Sequence, residues 1–286
     1  MTETTQPICV DHILVSLDSS KHSFAALRAA IQLAHHYHAA ITGLFVEDIA
    51  LLNLAEMPFR QEVGEYTAIV RNISADGMTR SIFVQSKRIN RTFQKLIHNS
   101  ELMGEFSVLR GEVSESILKA SEECDLLILG KSGTNPLRKK RLGSTAQALS
   151  KDPKIPILLV EEENLIDTPL TVIYESSQIG LITLETARDL LDQGGALNII
   201  LIEEKPGEIL KQKVHLHLWA DKHQVEINIF AYKQQSFPHF LQKIKGLKKG
   251  LMIFPHKPAR EYWKIEERIL EEVTLPILII RAGEID

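Results

Sequence analysis

The chain has 286 residues, 44% of them hydrophobic and 24% charged, with a formal net charge of −4 at pH 7. This composition is typical of a soluble globular protein and, at this length, of two ordinary domains. The slightly acidic balance gives no reason to expect a nucleic-acid or anionic-membrane partner. No apolar run is long enough to span a membrane, and segment 1–7 lacks the apolar core of a signal peptide. We therefore expect a cytoplasmic protein, in which Cys9 and Cys124 do not form a disulfide scaffold.

The first half alternates apolar runs with segments of helical period, which predicts βα units around a mainly parallel sheet. After a strand at 13–17, the apolar positions Phe24, Leu27, Ile31 and Ala34 step by three and four residues, as in an amphipathic helix. Further strands are predicted at 41–46, 106–109, 126–129 and 154–160, and further helices at 76–98, 114–122 and 144–150. Segment 49–75 is expected to be irregular or short-helical.

A weak internal repeat relates residues 9–161 to residues 168–281, with the acidic segment 161–164 between them. The second copy is predicted to contain strands at 171–174, 200–204, 225–230, 251–254 and 274–280, and helices at 179–191, 207–221 and 237–247. The fold class is therefore α/β, with two tandem Rossmann-like domains. Each domain is expected to hold a mainly parallel five-stranded sheet flanked by helices.

A glycine-rich segment comes after strand 126–129. Gly130 and Gly133 lie directly beyond the strand, and residues 134–142 separate them from Gly143 and Ser144. Glycines let backbone approach a ligand closely, and the N–H groups and capping hydroxyl of a helix start bind anions. The spacing fits neither a Walker A loop nor a GxGxxG dinucleotide fingerprint. It predicts a different phosphate cradle, with Ser144 as the helix N-cap.

The Gly-x2-Gly-x9-Gly-Ser pattern, with Asp18 at the end of the first strand, resembles the nucleotide-binding members of the universal stress protein family. Segments 13–18, 44–48 and 154–160 resemble that family's first, second and closing strands, so the resemblance covers most of residues 9–161. It implies an ATP-binding stress-response protein in which the nucleotide sets conformation or partner choice. The implied contacts are Asp18 and the Val46 backbone for adenosine, and Gly130, Gly133, Gly143, Ser144 and the adjacent Thr145 for ribose and phosphates.

Charged residues near the loop are secondary candidates. The basic run 138–141 is either an ordinary solvated loop or a source of side chains that neutralise a triphosphate. Lys131 and Ser132 are also candidates to face phosphate, ranked after the backbone groups. Asp18 is a candidate ligand for Mg²⁺ that bridges ATP phosphates, and no dedicated metal site is expected.

The second copy lacks the glycines. Its strand 251–254 runs into Pro255-His256-Lys257-Pro258, and Glu175 stands where the first copy has Asp18. Side chains and prolines would crowd backbone that must approach phosphates, so we predict one nucleotide site per chain. The second copy is expected to pack against the first through the closing strands 155–160 and 275–280, as a pseudo-dimer. Two chains are expected to form a homodimer.

No catalytic residues are assigned, because the chain has no GxSxG, HExxH or kinase signature set. Slow ATP hydrolysis or autophosphorylation, for which Ser144 would be the acceptor, remains open. Two alternatives to a nucleotide-dependent regulator are also open. One is a phosphoryl- or adenylyl-transfer enzyme, and the other is a structural interaction module whose glycine loop is a relic.

Overall fold

The structure is a computed structural model and describes residues 5–56, 61–63, 70–72, 75–132, 142–161, 166–191, 195–203, 207–233, 237–247, 249–256 and 260–281. The strands are β1 (His12–Ser16), β2 (Ala40–Asp48), β3 (Gln61–Val63), β4 (Val70–Asn72), β5 (Gly104–Gly111), β6 (Leu126–Gly130), β7 (Ile157–Val160), β8 (Leu170–Tyr174), β9 (Ala196–Glu203), β10 (Glu226–Lys233), β11 (Leu251–Pro255) and β12 (Ile277–Ile280). The helices are α1 (Lys21–Tyr37), α2 (Ile49–Glu56), α3 (Ala75–Asn99), α4 (Val113–Ser121), α5 (Ser144–Lys151), α6 (Gln178–Asp189), α7 (Glu208–His223), α8 (Phe237–Lys245) and α9 (Arg260–Glu272).

One ten-stranded sheet runs through the described part of the chain, in the order β10-β9-β8-β11-β12-β7-β6-β1-β2-β5. Reading outward from the centre, the first half runs β7-β6-β1-β2-β5 and the second runs β12-β11-β8-β9-β10. The two halves therefore repeat the same strand order, and pairing within each half is parallel. This arrangement confirms the predicted α/β class. The sheets of the two halves are continuous with each other.

The halves meet where β7 pairs with β12. This pair is antiparallel, with Ile157 opposite Ile279, Leu158 opposite Leu278, and Leu159 opposite Ile277. Both strands are fully buried, so the closing strand of each half is covered on both faces and paired on both edges. An exposed apolar edge strand can pair with other chains and cause aggregation, and the pairing of β7 with β12 prevents this at the junction.

Helices cover both faces of the sheet. Buried apolar side chains of α1, α3, α6 and α7 form one core cluster with the strands, and those of α4, α5, α8 and α9 form the other. Each cluster contains residues from both halves, so each core layer crosses the junction. Within the described residues, no helix has both the length and the apolar content needed to cross a membrane.

Two parts of the fold differ from the sequence-based expectation. Segment 49–75 contains the predicted short helix, α2, but also the antiparallel pair β3–β4, whose three-residue strands are too short to show an alternating pattern. Helix α9 is absent from the sequence-based prediction. Its buried positions Ile269 and Leu270 lie four and five residues after Ile265, a helical spacing among many charged residues.

The continuous sheet predicts that the two halves unfold together. Leu158 is fully buried at the junction, so Leu158→Ala should lower the free energy of unfolding by about 2–5 kcal/mol. Both tryptophans, at positions 219 and 263, lie in the second half, so their fluorescence reports on that half. Urea unfolding followed by fluorescence and by far-UV circular dichroism should give coincident transitions, both shifted by this first-half substitution.

A matched control is Val108→Ala on the edge strand β5, where the native side chain is 43% exposed. It should change stability by no more than about 0.5 kcal/mol. If Leu158→Ala shifted the dichroism transition but left the fluorescence transition unchanged, the two halves would not unfold cooperatively.

Candidate functional site

Three of the predicted site residues lie at one level of the sheet, at the carboxyl ends of adjacent strands. Val15 is in register with Ile128, and Ser16 is in register with Leu44. Two residues further along, Leu17 is level with Gly130 and Asp18 is level with Val46. The carboxyl ends of parallel strands are where open α/β sheets bind ligands, so the topology brings Asp18, Val46 and Gly130 together at such an edge.

A tight turn fixes the carboxylate of Asp18. Its Oδ1 accepts a hydrogen bond from the Ser20 N–H at 3.0 Å, while Ser19 takes a left-handed conformation with φ of 69°. Ser20 is the N-cap of α1 and accepts from the Ser23 N–H. From α3, the Gln85 side chain donates to the Asp18 carbonyl at 3.2 Å and to the Ser19 hydroxyl at 2.9 Å. No sequence pattern singles out Gln85, because its partners lie 66 and 67 residues away.

Gly130 is required by packing as well as by position. A Cβ at Gly130 would lie 2.8 Å from the carbonyl carbon of His22 and 2.9 Å from both the His22 Cβ and the Ser23 nitrogen. The end of β6 therefore lies directly against the first turn of α1, and any side chain would force these elements apart. A packing requirement of this kind accounts for the glycine before any ligand is considered.

The prediction that Ser144 caps α5 is wrong, because the N-cap is Gly143. Gly143 is extended, with φ of −68° and ψ of 156°, and its N–H donates to the Lys131 carbonyl at 2.8 Å. Its own carbonyl accepts from the Gln147 N–H at 2.9 Å, which starts the helix at Ser144. No side chain among the described residues caps this end. The first-turn N–H groups of a helix are suited to binding anions. Ser144 is exposed and Thr145 is half-buried there.

The suggestion that Lys131 faces phosphate is also wrong. The side chain has no exposed surface, and its Nζ donates a hydrogen bond to the Val273 carbonyl of the second half. The Glu161 carboxylate lies 3.6 Å from the same Nζ. Ser132 is half-buried. Gly133 and the basic run 138–141 lie outside the described residues.

The equivalent edge of the second half is built differently. The His256 N–H donates to the Ile280 carbonyl, as the Lys131 N–H donates to the Val160 carbonyl, so His256 is the counterpart of Lys131. Only residues 256–259 separate β11 from α9, whereas residues 131–143 separate β6 from α5. His256 is buried, with Nδ1 3.4 Å from the Glu266 carboxylate.

The counterpart of Asp18 in the second half is Glu175, whose carboxylate is held locally. The Ser177 hydroxyl donates to Glu175 Oε1 at 2.6 Å, and the same hydroxyl oxygen accepts from the Gly180 N–H. Ser177 is thereby the N-cap of α6, as Ser20 is of α1. The two halves keep the same capped turn but close it with different acidic residues.

A second polar cluster occupies the opposite, amino-terminal edge of the first half. His12 Nε2 lies 2.7 Å from the Thr42 hydroxyl, and Cys124 Sγ lies 3.8 Å from His12 Nδ1. Burial, with smaller contributions from nearby carboxylates, raises the pKa of the Cys124 thiol to about 11. The thiol is therefore protonated at neutral pH and is a poor nucleophile. Among the described residues, no three histidine, cysteine or acidic side chains are grouped to hold a metal ion.

Comparisons with known proteins agree with this architecture. The model of the universal stress protein family matches residues 10–161. The stress response protein NhaX of Bacillus subtilis is 26% identical over 162 residues, which cover 53% of this chain and 98% of that protein. The crystal structure of a universal stress protein from Archaeoglobus fulgidus superposes with a TM-score of 0.72 and 16% identity, covering 95% of this chain and 98% of its own. A functionally unknown protein, PA1789 of Pseudomonas aeruginosa, superposes with a TM-score of 0.65 and 13% identity, covering 96% and 94%.

The fold and the strand-end turn define an α/β protein of the Rossmann-like kind, with two halves joined edge to edge. The structural matches extend that fold over nearly the whole chain. Because the family model covers more than half of its residues, the chain belongs to the universal stress protein family.

Gly130→Ala is expected to destabilise the protein even when no nucleotide is present. The new Cβ would meet the backbone of His22 and Ser23, which cannot move aside as a flexible side chain could. The expected loss is about 1–3 kcal/mol, measured by urea unfolding. Ser144→Ala, at an exposed position next to the N-cap, is the control and should stay within about 0.5 kcal/mol of wild type. Equal stability of the two variants would show that β6 and α1 are less tightly packed than the structure indicates.

Proposed function

We propose that this protein is an ATP-binding universal stress protein that acts in the stress response, with one nucleotide site per chain in the first half. Nucleotide occupancy, rather than turnover, would set its conformation or its choice of partner. The family assignment and the name of the Bacillus subtilis relative support the stress-response part of this proposal. The site geometry supports the nucleotide part.

The observation that carries the proposal is the meeting of the Asp18 turn, the end of β2 and the N-terminus of α5 at one edge of the sheet. The Asp18 carboxylate is fixed by the Ser20 N–H, and acidic side chains of this kind suit ribose hydroxyls or a phosphate-bound Mg²⁺. Backbone N–H groups at the start of α5 are suited to phosphate oxygens. Adenosine would lie near Asp18 and Val46, and the phosphates near Gly130, Gly143, Ser144 and Thr145, with Gly133 completing the loop.

The proposal assigns the site to the first half alone. In the second half, the short connection 256–259 and the buried pair His256 and Glu266 leave a different strand end. Glu175 is also engaged by Ser177, at 2.6 Å. These features favour a packing role for the second half.

The test is a titration of purified protein with MgATP, followed by calorimetry and thermal denaturation. One site per chain should be found, and at 100 times the dissociation constant ATP should add about 2.7 kcal/mol to the free energy of unfolding. Asp18→Asn keeps an oxygen that can accept from the Ser20 N–H but removes the charge, and it should weaken ATP binding. Released inorganic phosphate, measured in the same samples, tests the alternative of hydrolysis.

Glu175→Gln is the matched control, because it makes the same change at the equivalent turn of the second half. It should leave ATP affinity and stoichiometry unchanged. Absence of any ATP-dependent stabilisation of wild type would refute the proposal, and two equivalents of ATP per chain would refute the single site.

We also propose that the protein works in the cytoplasm as a homodimer. The outer side of α7 supports an association surface, since Leu210, Val214 and Leu218 are 70%, 55% and 65% exposed and succeed one another at four-residue spacing. A contiguous row of exposed apolar side chains is characteristic of an interaction surface.

Sedimentation velocity of the wild type should therefore report a dimer, and Val214→Glu should shift it toward monomer. Phe83→Lys on α3 is the control, because Phe83 is also apolar and 56% exposed but lies in the other half. A monomeric wild type, or a dimer that both substitutions leave intact, would exclude α7 as the dimer surface.

A further inference from the structure

Lys131 connects the phosphate end of the proposed site with the second half of the chain. Its N–H donates to the Val160 carbonyl at 2.8 Å, which ties it to the closing strand β7. Its carbonyl accepts from the Gly143 N–H, also at 2.8 Å, which holds the N-cap of α5. The backbone of this one residue therefore fixes where α5 begins relative to the sheet.

The side chain of Lys131 leaves the first half. It is completely buried, donates to the Val273 carbonyl, and lies 3.6 Å from the Glu161 carboxylate. Val273 lies between α9 and β12. Because a buried ammonium group is costly unless it is paired and hydrogen-bonded, Lys131 cannot leave this position without opening the contact with the second half.

Helix α5 has further contacts with the second half. The Gln147 side chain donates to Glu267 Oε1 of α9 at 2.7 Å. Leu142 and Ala146, which flank the start of α5, belong to the same buried cluster as Leu270 and Val273. One hydrogen bond therefore links the first turn of α5 to α9, and the two helices share a buried layer.

We propose that Lys131 is a positioning residue that couples nucleotide binding in the first half to the packing of α9 and β12 in the second. This inference rests on the proposed function. Phosphates bound at the start of α5 would hold Gly143 and Lys131 in the arrangement that also makes the Val273 contact. By linkage, an intact Val273 contact then favours nucleotide binding, and bound nucleotide stabilises residues 270–276.

The test replaces the ammonium group with an apolar side chain of similar length. Lys131→Met should bind MgATP about tenfold more weakly than wild type, by calorimetry. In wild type, MgATP should slow hydrogen–deuterium exchange in peptides that cover residues 270–276, far along the chain from the loop. In Lys131→Met this protection should be lost, a result that a purely local folding role would not produce.

Arg281 offers a matched control at the opposite edge of the sheet. Its guanidinium donates to the Pro153 carbonyl of the first half, so each half supplies one cation to a carbonyl just before the other half's closing strand. Arg281→Met removes an inter-half contact away from the start of α5. It should lower thermal stability but leave ATP affinity and the protection of residues 270–276 unchanged.

The outcomes separate this proposal from the proposed function. If wild type and Lys131→Met bind MgATP equally and protect residues 270–276 equally, the coupling is refuted while nucleotide binding stands. If wild type binds no MgATP, both proposals fall. Should Lys131→Met not fold, Glu161→Gln weakens the same buried pair and keeps the bond to Val273. It should then show a smaller loss of ATP affinity, and unchanged affinity would count against the coupling.

Discussion

The antiparallel pairing of β7 with β12 is the constraint on which the rest of this structure depends. It makes one sheet out of two repeated halves and lets both core layers continue across the junction. Because this pair is antiparallel, the strands of the two halves run in opposite directions. The carboxyl ends of their strands therefore lie at opposite ends of the sheet. As a result, the carboxyl edge of the first half faces the chain that enters β12, where Val273 lies. The proposed nucleotide site is therefore built next to the other half.

The two halves share the backbone arrangement of the strand ends and differ in the connections that leave them. Lys131 and His256 donate their N–H groups to equivalent carbonyls, and each turns a titratable side chain inward. The first half then has a long connection and the eight-residue helix α5, whereas the second has a short connection and the thirteen-residue helix α9. The longer helix supplies Glu267, which accepts a hydrogen bond from Gln147 of α5. Where the first half has a long connection, the second half thus has a longer helix that contacts the first half.

Sequence reasoning recovered the parallel strands and the amphipathic helix α1, because burial on two faces or on one stripe leaves a clear periodicity. It predicted the wrong N-cap for α5, because serine is normally a better N-cap than the glycine beside it. The hydrogen bond from the Gly143 N–H to the Lys131 carbonyl, which keeps Gly143 outside the helix, leaves no signal in the local sequence. It made Lys131 a candidate to face phosphate because the residue lies between two loop glycines and lysine is rarely buried. The partner that buries Lys131 lies 142 residues further along the chain. Contacts between the halves are the part of the site that periodicity does not encode.

The polar contacts at the junction fix the pairing register of β7 and β12, which the apolar side chains of these strands leave poorly determined. All the paired positions of β7 and β12 are isoleucine or leucine. A register shift of two residues would therefore keep the same faces buried, at a small cost in free energy. Lys131 on one side and Arg281 on the other each reach a single backbone carbonyl of the opposite half, at Val273 and Pro153. A slip would break both bonds and leave buried or partly buried cations without partners, which is far more costly than exchanging one leucine contact for another. Burial of the apolar strands therefore stabilises the contact between the halves, and the hydrogen bonds of the two cations fix the register in which β7 pairs with β12.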